Sequence, residues 1–296
     1  MGLQWALIMM SKQFMMIEQQ LVSFERCENL TKVIQEKKLD FSQVPNFLLR
    51  RPMWPERGEI VFSNVHLRYR PTTEVVLNNL SFKAEAGQKI GIVGRTGAGK
   101  STICLCLSRI VEIFKGKIKV DGLDISMLDL DELRKRITVI PQDPTMFNGT
   151  LRFNLDPLGN ARDSEIVELL KKATLTSLLQ ESKPLDKVIS EGGSNMSSGE
   201  KQLICICRAI LRKSKVIILD EATANIDIVT EQKIQQLITE NFKDSTMLVV
   251  AHRLNTIINS DKVLVMEDGK NKEFDSPQAL MANPESEFSK LLQEIK

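Results

Sequence analysis

The sequence predicts an α/β fold, a mainly parallel sheet wrapped by helices with an antiparallel sheet at the front. Short apolar runs without alternation, "KIGIVG" at 89–94, "VIILD" at 216–220 and "TMLVV" at 246–250, are what strands buried on both faces look like. Helix-forming stretches separate these runs, as parallel strands require. Ahead of them, "EIVFSNVHLRYR" (59–70) and "EVVLNNLSFKAEAGQ" (74–88) alternate in the β manner with only "PTT" between, which predicts an antiparallel pair.

Taken in order, residues 1–38 open on the apolar "GLQWALIMM" and continue with helical composition. The apolar run is far short of the ~20 residues needed to cross a bilayer. Without a basic leader or a small-residue cleavage site, it does not read as a secretion signal. Two readings remain: an amphipathic helix packed on the body, or the cytoplasmic end of a truncated membrane helix. Residues 39–57 carry three prolines and little period, and are expected to be a linker. The domain proper is placed at 58–296. Further strands are expected in "KIKVDGLDI" (117–125), "ITVI" (137–140) and "KVLVMEDGK" (262–270), and a helix at 163–181 with Asp163 as N-cap candidate.

Composition limits the function classes. With 42% apolar residues among 296, the chain can fill a core. Charged residues nearly cancel to +2, so no whole-protein field argues for a nucleic-acid partner, and none is expected. Cys104 and Cys106, like Cys205 and Cys207, are C-x-C pairs in helical segments, where side chains two apart point away from each other. They read as buried thiols, as does Cys27, rather than as zinc ligands or disulfides.

Two motifs carry chemistry most directly. "GRTGAGKS", residues 94–101, fits the phosphate-loop pattern G-x-x-x-x-G-K-[ST], which chance supplies in roughly one chain in a hundred of this length. It follows a buried strand and precedes the apolar helix "STICLCLSRI", and that context separates it from an ordinary glycine turn. In that reading the backbone of Gly94, Arg95, Thr96, Gly97, Ala98 and Gly99 cradles phosphates, followed by Lys100, Ser101 and Thr102. Lys100 reaches the β and γ groups and Ser101 ligates Mg²⁺. The strand "VIILDE" ends in Asp220 and Glu221, which face opposite ways on an extended backbone. Asp220 suits a Mg²⁺ shell and Glu221 an attacking water.

Single residues are weaker signals. His252 closes a strand, where a lone His is more often solvated than catalytic. On the shared sheet edge, however, it would reach a γ-phosphate. Gln142 follows another strand and is either a polar turn residue or a Mg²⁺ ligand. Tyr69, the sole tyrosine, either packs or stacks on a purine. "NMSSGEKQ" (195–202) sets small residues before a helix, a second anion cradle in one domain.

The order Tyr69, "GRTGAGKS", Gln142, "SSGEKQ", "VIILDE", "ANID", "VVAHR" resembles the nucleotide-binding domain of ATP-binding-cassette (ABC) transporters over residues 51–296. "RPMWPERGEIVFSNVHLRYRP", "VIPQDPTMFNGTLRFNLDP" and "EGGSNMSSGEKQLICICRAIL" are similar to the second such domain of subfamily C, the multidrug-resistance-associated type. Residues 1–38 are similar to the helix that leaves its last membrane segment. The resemblance implies a P-loop ATPase core with a mainly parallel sheet, an N-terminal antiparallel subdomain and a helical signature subdomain. It also implies location on the cytoplasmic face of a membrane, with ATP and Mg²⁺ as ligands. Its partners would be transmembrane domains and a second nucleotide-binding domain bound head to tail. Each ATP would then lie between one domain's phosphate loop and the other's signature, with Ser197, Ser198, Gly199 and Glu200 meeting the partner's nucleotide and Asp227 facing the partner.

The sequence departs from the family's LSGGQ signature, with Met196, Ser197, Ser198, Gly199 and Glu200 at the aligned positions. A carboxylate beside a γ-phosphate repels it unless it points away or pairs with Lys201 or Arg208. Slow turnover, or a holding role, is therefore expected of the composite site formed with this signature. Two alternatives to a transport motor stay open. Subfamily C includes a chloride channel and potassium-channel regulators, so a nucleotide-sensing domain that gates a channel is one. A soluble cassette ATPase acting on nucleic acid or ribosomes is the other.

Overall fold

The computed structural model describes residues 2–33, 36, 53–180, 182–220, 226–250 and 257–294. The chain divides into two compact units, residues 1–39 and 40–296. The first holds helix α1, Gly2–Thr31, none of whose residues is buried. Leu3, Leu7, Met10, Phe14, Ile17, Leu21 and Phe24 recur along it at alternating spacings of four and three, and all are exposed, which makes one apolar seam. Among the described residues no helix is long and apolar enough to cross a membrane.

In the second unit, β1 (Ile60–Leu67) and β2 (Leu77–Ala84) pair antiparallel as the alternation predicts. β3 (Lys89–Gly94) leads into helix α2 (Lys100–Leu107), and β4 (Lys115–Val120) returns to pair with β1. With β5 (Leu123–Asp124) these make a four-stranded antiparallel sheet in the order β2-β1-β4-β5. Helix α3 (Leu130–Arg136), capped by Asp129, leads to β6 (Ile137–Ile140). A helical stretch follows, with β7 (Gly149–Thr150), α4 (Leu151–Leu155), α5 (Asp163–Lys172), β8 (Val188–Ile189) and α6 (Ser198–Arg212). Then come β9 (Val216–Asp220), α7 (Ile228–Asn241), β10 (Thr246–Val250), β11 (Lys262–Glu267), β12 (Lys270–Asp275), α8 (Pro277–Ala282) and α9 (Glu287–Glu294).

The central sheet has the order β12-β11-β3-β10-β9-β6. Five of its strands run parallel and β12 alone is antiparallel. Alternate residues of β9 and β10 divide between two cores, which explains their unbroken apolar sequence. Val216, Ile218, Leu248 and Val250 join the core shared with the antiparallel sheet and α2. Ile217, Leu219, Met247 and Val249 join the one under the helical stretch.

The structure adds three details at the edges of the expected elements. Arg162, not Asp163, is the N-cap of α5, and it makes no side-chain cap bond. Asp163 instead sits in the first turn, where it pairs with Arg152 and suits the positive end of the helix dipole. The helix also stops at Lys172, and Thr176–Leu179 forms a separate 3₁₀ turn. Trp54, in the stretch read as linker, is buried and donates from Nε1 to the Val120 carbonyl at 3.0 Å. Cys104, Cys106, Cys205 and Cys207 are buried as expected, whereas Cys27 is exposed on α1. Burial pushes the Cys207 thiol up to about 12, so these thiols are inert.

Candidate functional site

Parallel pairing brings four strand ends to one edge. Ile92 of β3 lies beside Val250 of β10, Val250 beside Asp220 of β9, and Leu219 beside Ile140 of β6. The phosphate loop, Asp220 and Gln142 therefore leave the sheet on the same side, the usual place for ligands in such sheets. Glu221 follows β9 directly in sequence and His252 comes two residues after β10; both lie outside the described residues.

The loop from Gly94 to Gly99 needs its glycines. Gly94 has φ 150°, and an added Cβ would strike the Met266 carbonyl. Gly97 has φ 86° and faces open space, so the backbone there can approach a ligand without obstruction. Arg95, Thr96 and Gly97 are exposed, while Ala98, Gly99 and Thr102 are buried. Lys100, 7% exposed, turns its ammonium back into the loop, donating to the carbonyls of Gly94 at 2.9 Å and Arg95 at 3.1 Å. A positive charge is thus held beneath the amides at the start of α2, an arrangement suited to polyphosphate.

Ser101 and Asp220, 119 residues apart in sequence, meet at 3.0 Å, the Ser101 hydroxyl donating to the Asp220 carboxylate. A hydroxyl and a carboxylate are hard oxygen donors that fit Mg²⁺, which is typically held by one or two carboxylates plus substrate phosphates. Gln142 is exposed, two residues beyond β6. The Tyr69 hydroxyl lies 2.9 Å from Thr102 Oγ1, which fixes a half-exposed ring beside the first turn of α2.

The signature residues form a second, separate cleft of about 290 Å³. Ser197 caps α6, and its hydroxyl accepts from the Glu200 amide at 3.2 Å. Glu200 reaches back to accept from the Ser197 amide at 2.9 Å and its hydroxyl at 3.0 Å. This reciprocal capping box fills the helix end. Gly199 packs so closely on α7 that a Cβ would come within 3.2 Å of Thr230. Asp227 caps α7, accepting from the Thr230 amide at 2.9 Å. Among the described residues none of 94–102 lines this cleft, so it is distinct from the phosphate loop.

Both capping carboxyls titrate low. Burial raises Glu200, but hydrogen bonds from Ser197 and Ser177 and the Lys187 charge outweigh it. The Thr230 backbone hydrogen bond is the main cause of lowering at Asp227. Groups depressed in the folded state stabilise it above their unfolded values, near pH 4, and that support is lost as pH falls through the folded values. Unfolding free energy is therefore expected to fall between about pH 5 and pH 3. A Glu200→Gln/Asp227→Asn double variant should show a shallower fall in urea titrations, and an equal slope would refute the assignment.

Sequence reasoning missed the brace behind Gln142. Asn154, 1% exposed, accepts through Oδ1 from the Phe147 amide and from Arg208 Nη2, both at 2.9 Å. Its Nδ2 donates to the carbonyls of Phe147 and Thr150. Arg208 on α6 also donates to the Thr145 carbonyl at 2.7 Å and to the Asn154 carbonyl. The loop after Gln142 is thereby tied to the signature helix. A signal existed, since Leu151, Asn154 and Leu155 share one helical face, and a polar residue on an apolar stripe demands partners.

Comparison with known proteins agrees with this geometry. The ABC transporter family profile matches residues 77–224. ABC transporter C family member 13 of Dictyostelium discoideum is 46% identical over 98% of this chain and 22% of its own length. The ATP-dependent bile acid permease of Saccharomyces cerevisiae is 43% identical over 92% of the chain and 17% of its length. For human ATP-binding cassette sub-family C member 3 the figures are 45%, 95% and 18%. The chain thus spans about a fifth of the length of the curated relatives it matches. Among solved structures, a bacterial Atm1-family ABC exporter with ATP bound superposes with TM-score 0.81 at 29% identity, covering 95% of this chain and 48% of that one. The chain belongs to the ABC transporter family and carries its nucleotide-binding ATPase domain.

Proposed function

We propose that this domain works as one half of a head-to-tail pair, the second nucleotide-binding domain of a subfamily C exporter, and couples ATP hydrolysis to movement of membrane domains. The observation that carries the reading is the presence of two anion cradles in one chain, with no phosphate-loop residue in the signature cleft among the described residues. One cradle serves the chain's own ATP and the other a partner's.

Phosphoryl transfer to water calls for positioning and charge stabilisation more than covalent chemistry. The amides of residues 94–101 and the Lys100 ammonium hold the β and γ groups, and Tyr69 stacks on the purine. Ser101, Asp220 and Gln142 provide the oxygen ligands for Mg²⁺. When bound, that ion neutralises charge on the β and γ oxygens. Glu221 orients the attacking water, His252 contacts the γ-phosphate and Asp227 faces the partner domain. Ser197, Ser198 and Gly199 offer donors to the partner's nucleotide from the N-terminus of α6.

A groove of about 620 Å³ between the Gln142 loop and the helical stretch, lined by Thr145, Phe147, Phe153 and Leu158, suits docking of membrane domains on the cytoplasmic side. The names of the similar proteins, a permease and an exporter among them, favour transport over the channel-gating alternative.

The test is Mg-ATP hydrolysis against protein concentration for the wild type and Glu221→Gln. Specific activity is expected to rise with concentration and to vanish in the variant. Specific activity independent of concentration would refute the paired site, and a fully active variant would refute the role of Glu221.

A further inference from the structure

The hydroxyl of Ser197 has one proton, and it is already committed. It donates to Glu200 Oε2 at 3.0 Å, while the oxygen accepts from the Glu200 amide. The same Oε2 takes the Ser197 amide at 2.9 Å. The other oxygen, Oε1, accepts from the Ser177 hydroxyl at 3.2 Å. Ser177 lies on the 3₁₀ turn Thr176–Leu179 and lines the signature cleft together with Ser198, Gly199 and Lys233. The carboxylate is thus anchored from two elements and occupies, as an internal anion, the helix end where an external one would bind. Neither cation considered from sequence takes it up. Arg208 is turned to the carbonyls of Thr145 and Asn154, and among the described residues no ion pair joins Glu200 to Lys201 or Arg208.

We propose that Glu200 is a positioning residue that acts as a latch on the signature, withholding the Ser197 hydroxyl from a partner-bound nucleotide until the carboxylate is displaced. The proposal rests on the reading of residues 197–200 as half of a composite ATP site. A γ-phosphate approaching α6 competes with Glu200 for the same donor and the same helix end, so nucleotide-driven association needs more ATP than with a neutral residue there. Ser177 tightens the latch from outside the signature. Charge repulsion alone would give it no such part.

Glutamine keeps the capping box, because its carbonyl still accepts from the Ser197 amide, but it removes the charge and loosens the hold on the hydroxyl. The experiment is sedimentation velocity of the full chain under graded Mg-ATP, for the wild type, Glu200→Gln and Ser177→Ala, with binding of a fluorescent ATP analogue to the monomer measured in parallel. Glu200→Gln is expected to lower the ATP midpoint for association about tenfold, comparable to one charge-assisted hydrogen bond. Ser177→Ala should shift it less, in the same direction. Monomer binding of the analogue should stay unchanged in both, and both should remain folded at the assay temperature, with a modest fall in melting temperature where the capping charge is lost. An unchanged midpoint in associating Glu200→Gln overturns the latch and leaves the composite site standing. A gain confined to Glu200→Gln that disappears at high salt overturns it in favour of simple repulsion. If no variant associates although each binds ATP, the composite-site reading fails and takes the latch with it.

Discussion

Lys100→Ala is expected to lower Mg-ATP hydrolysis by at least about a thousandfold, the scale seen when a preorganised charge is removed from developing phosphoryl charge. The ammonium is buried inside the loop and held by the Gly94 and Arg95 carbonyls at 2.9 and 3.1 Å. A change at this one atom therefore removes the loop's central charge and leaves two carbonyls seeking other donors. Arginine should not rescue it, because a planar guanidinium is too bulky for a site shaped around a compact ammonium. Steady-state turnover and analogue binding check both statements. Activity within tenfold of wild type in the alanine variant would remove Lys100 from the machinery.

The second large effect concerns stability. Asn154→Leu keeps the number and branching of the side-chain heavy atoms but leaves the amide and carbonyl of Phe147, the carbonyl of Thr150 and Nη2 of Arg208 short of a partner. Burial already lowers the Arg208 pKa, so the guanidinium depends on those acceptors. Buried groups left unsatisfied typically cost 1–3 kcal/mol each, with partial relaxation, and a loss of about 3–4 kcal/mol is expected. Urea unfolding measures it directly. A loss below about 1 kcal/mol would show that water or a loop shift replaces Asn154 at little cost.

Much of this molecule was legible in its sequence because the signals were local. β3, β9 and β10 announced themselves by unbroken apolar runs, β1 and β2 by alternation, and the phosphate loop by glycines whose positive φ values are realised at Gly94, Gly97 and Gly99. What escaped depended on tertiary contacts. Trp54 reads as part of a proline-rich linker until Val120 is seen to accept its proton. Asp163 looks like a cap because side-chain chemistry suits that role, yet the backbone is already helical at Asp163, one residue earlier than capping by it would require. Glu200 posed the reverse problem. Its charge was evident, but only the folded chain shows it turned toward Ser197 and Ser177, with Ser177 twenty residues upstream of Ser197 and in no motif.

The central sheet also sets a timetable for the ribosome. β3, the strand that presents the phosphate loop, is flanked by β10 and β11, drawn from residues 246–250 and 262–267. Until those residues emerge, the nascent chain holds "KIGIVG" with no lateral partner on either side, and an apolar unpaired strand is prone to aggregate. Pairing across so many intervening residues also makes the final zippering intrinsically slow. The nucleotide pocket is thus among the last features to be completed during synthesis, although its phosphate loop, residues 94–101, is among the first parts of the domain to be translated.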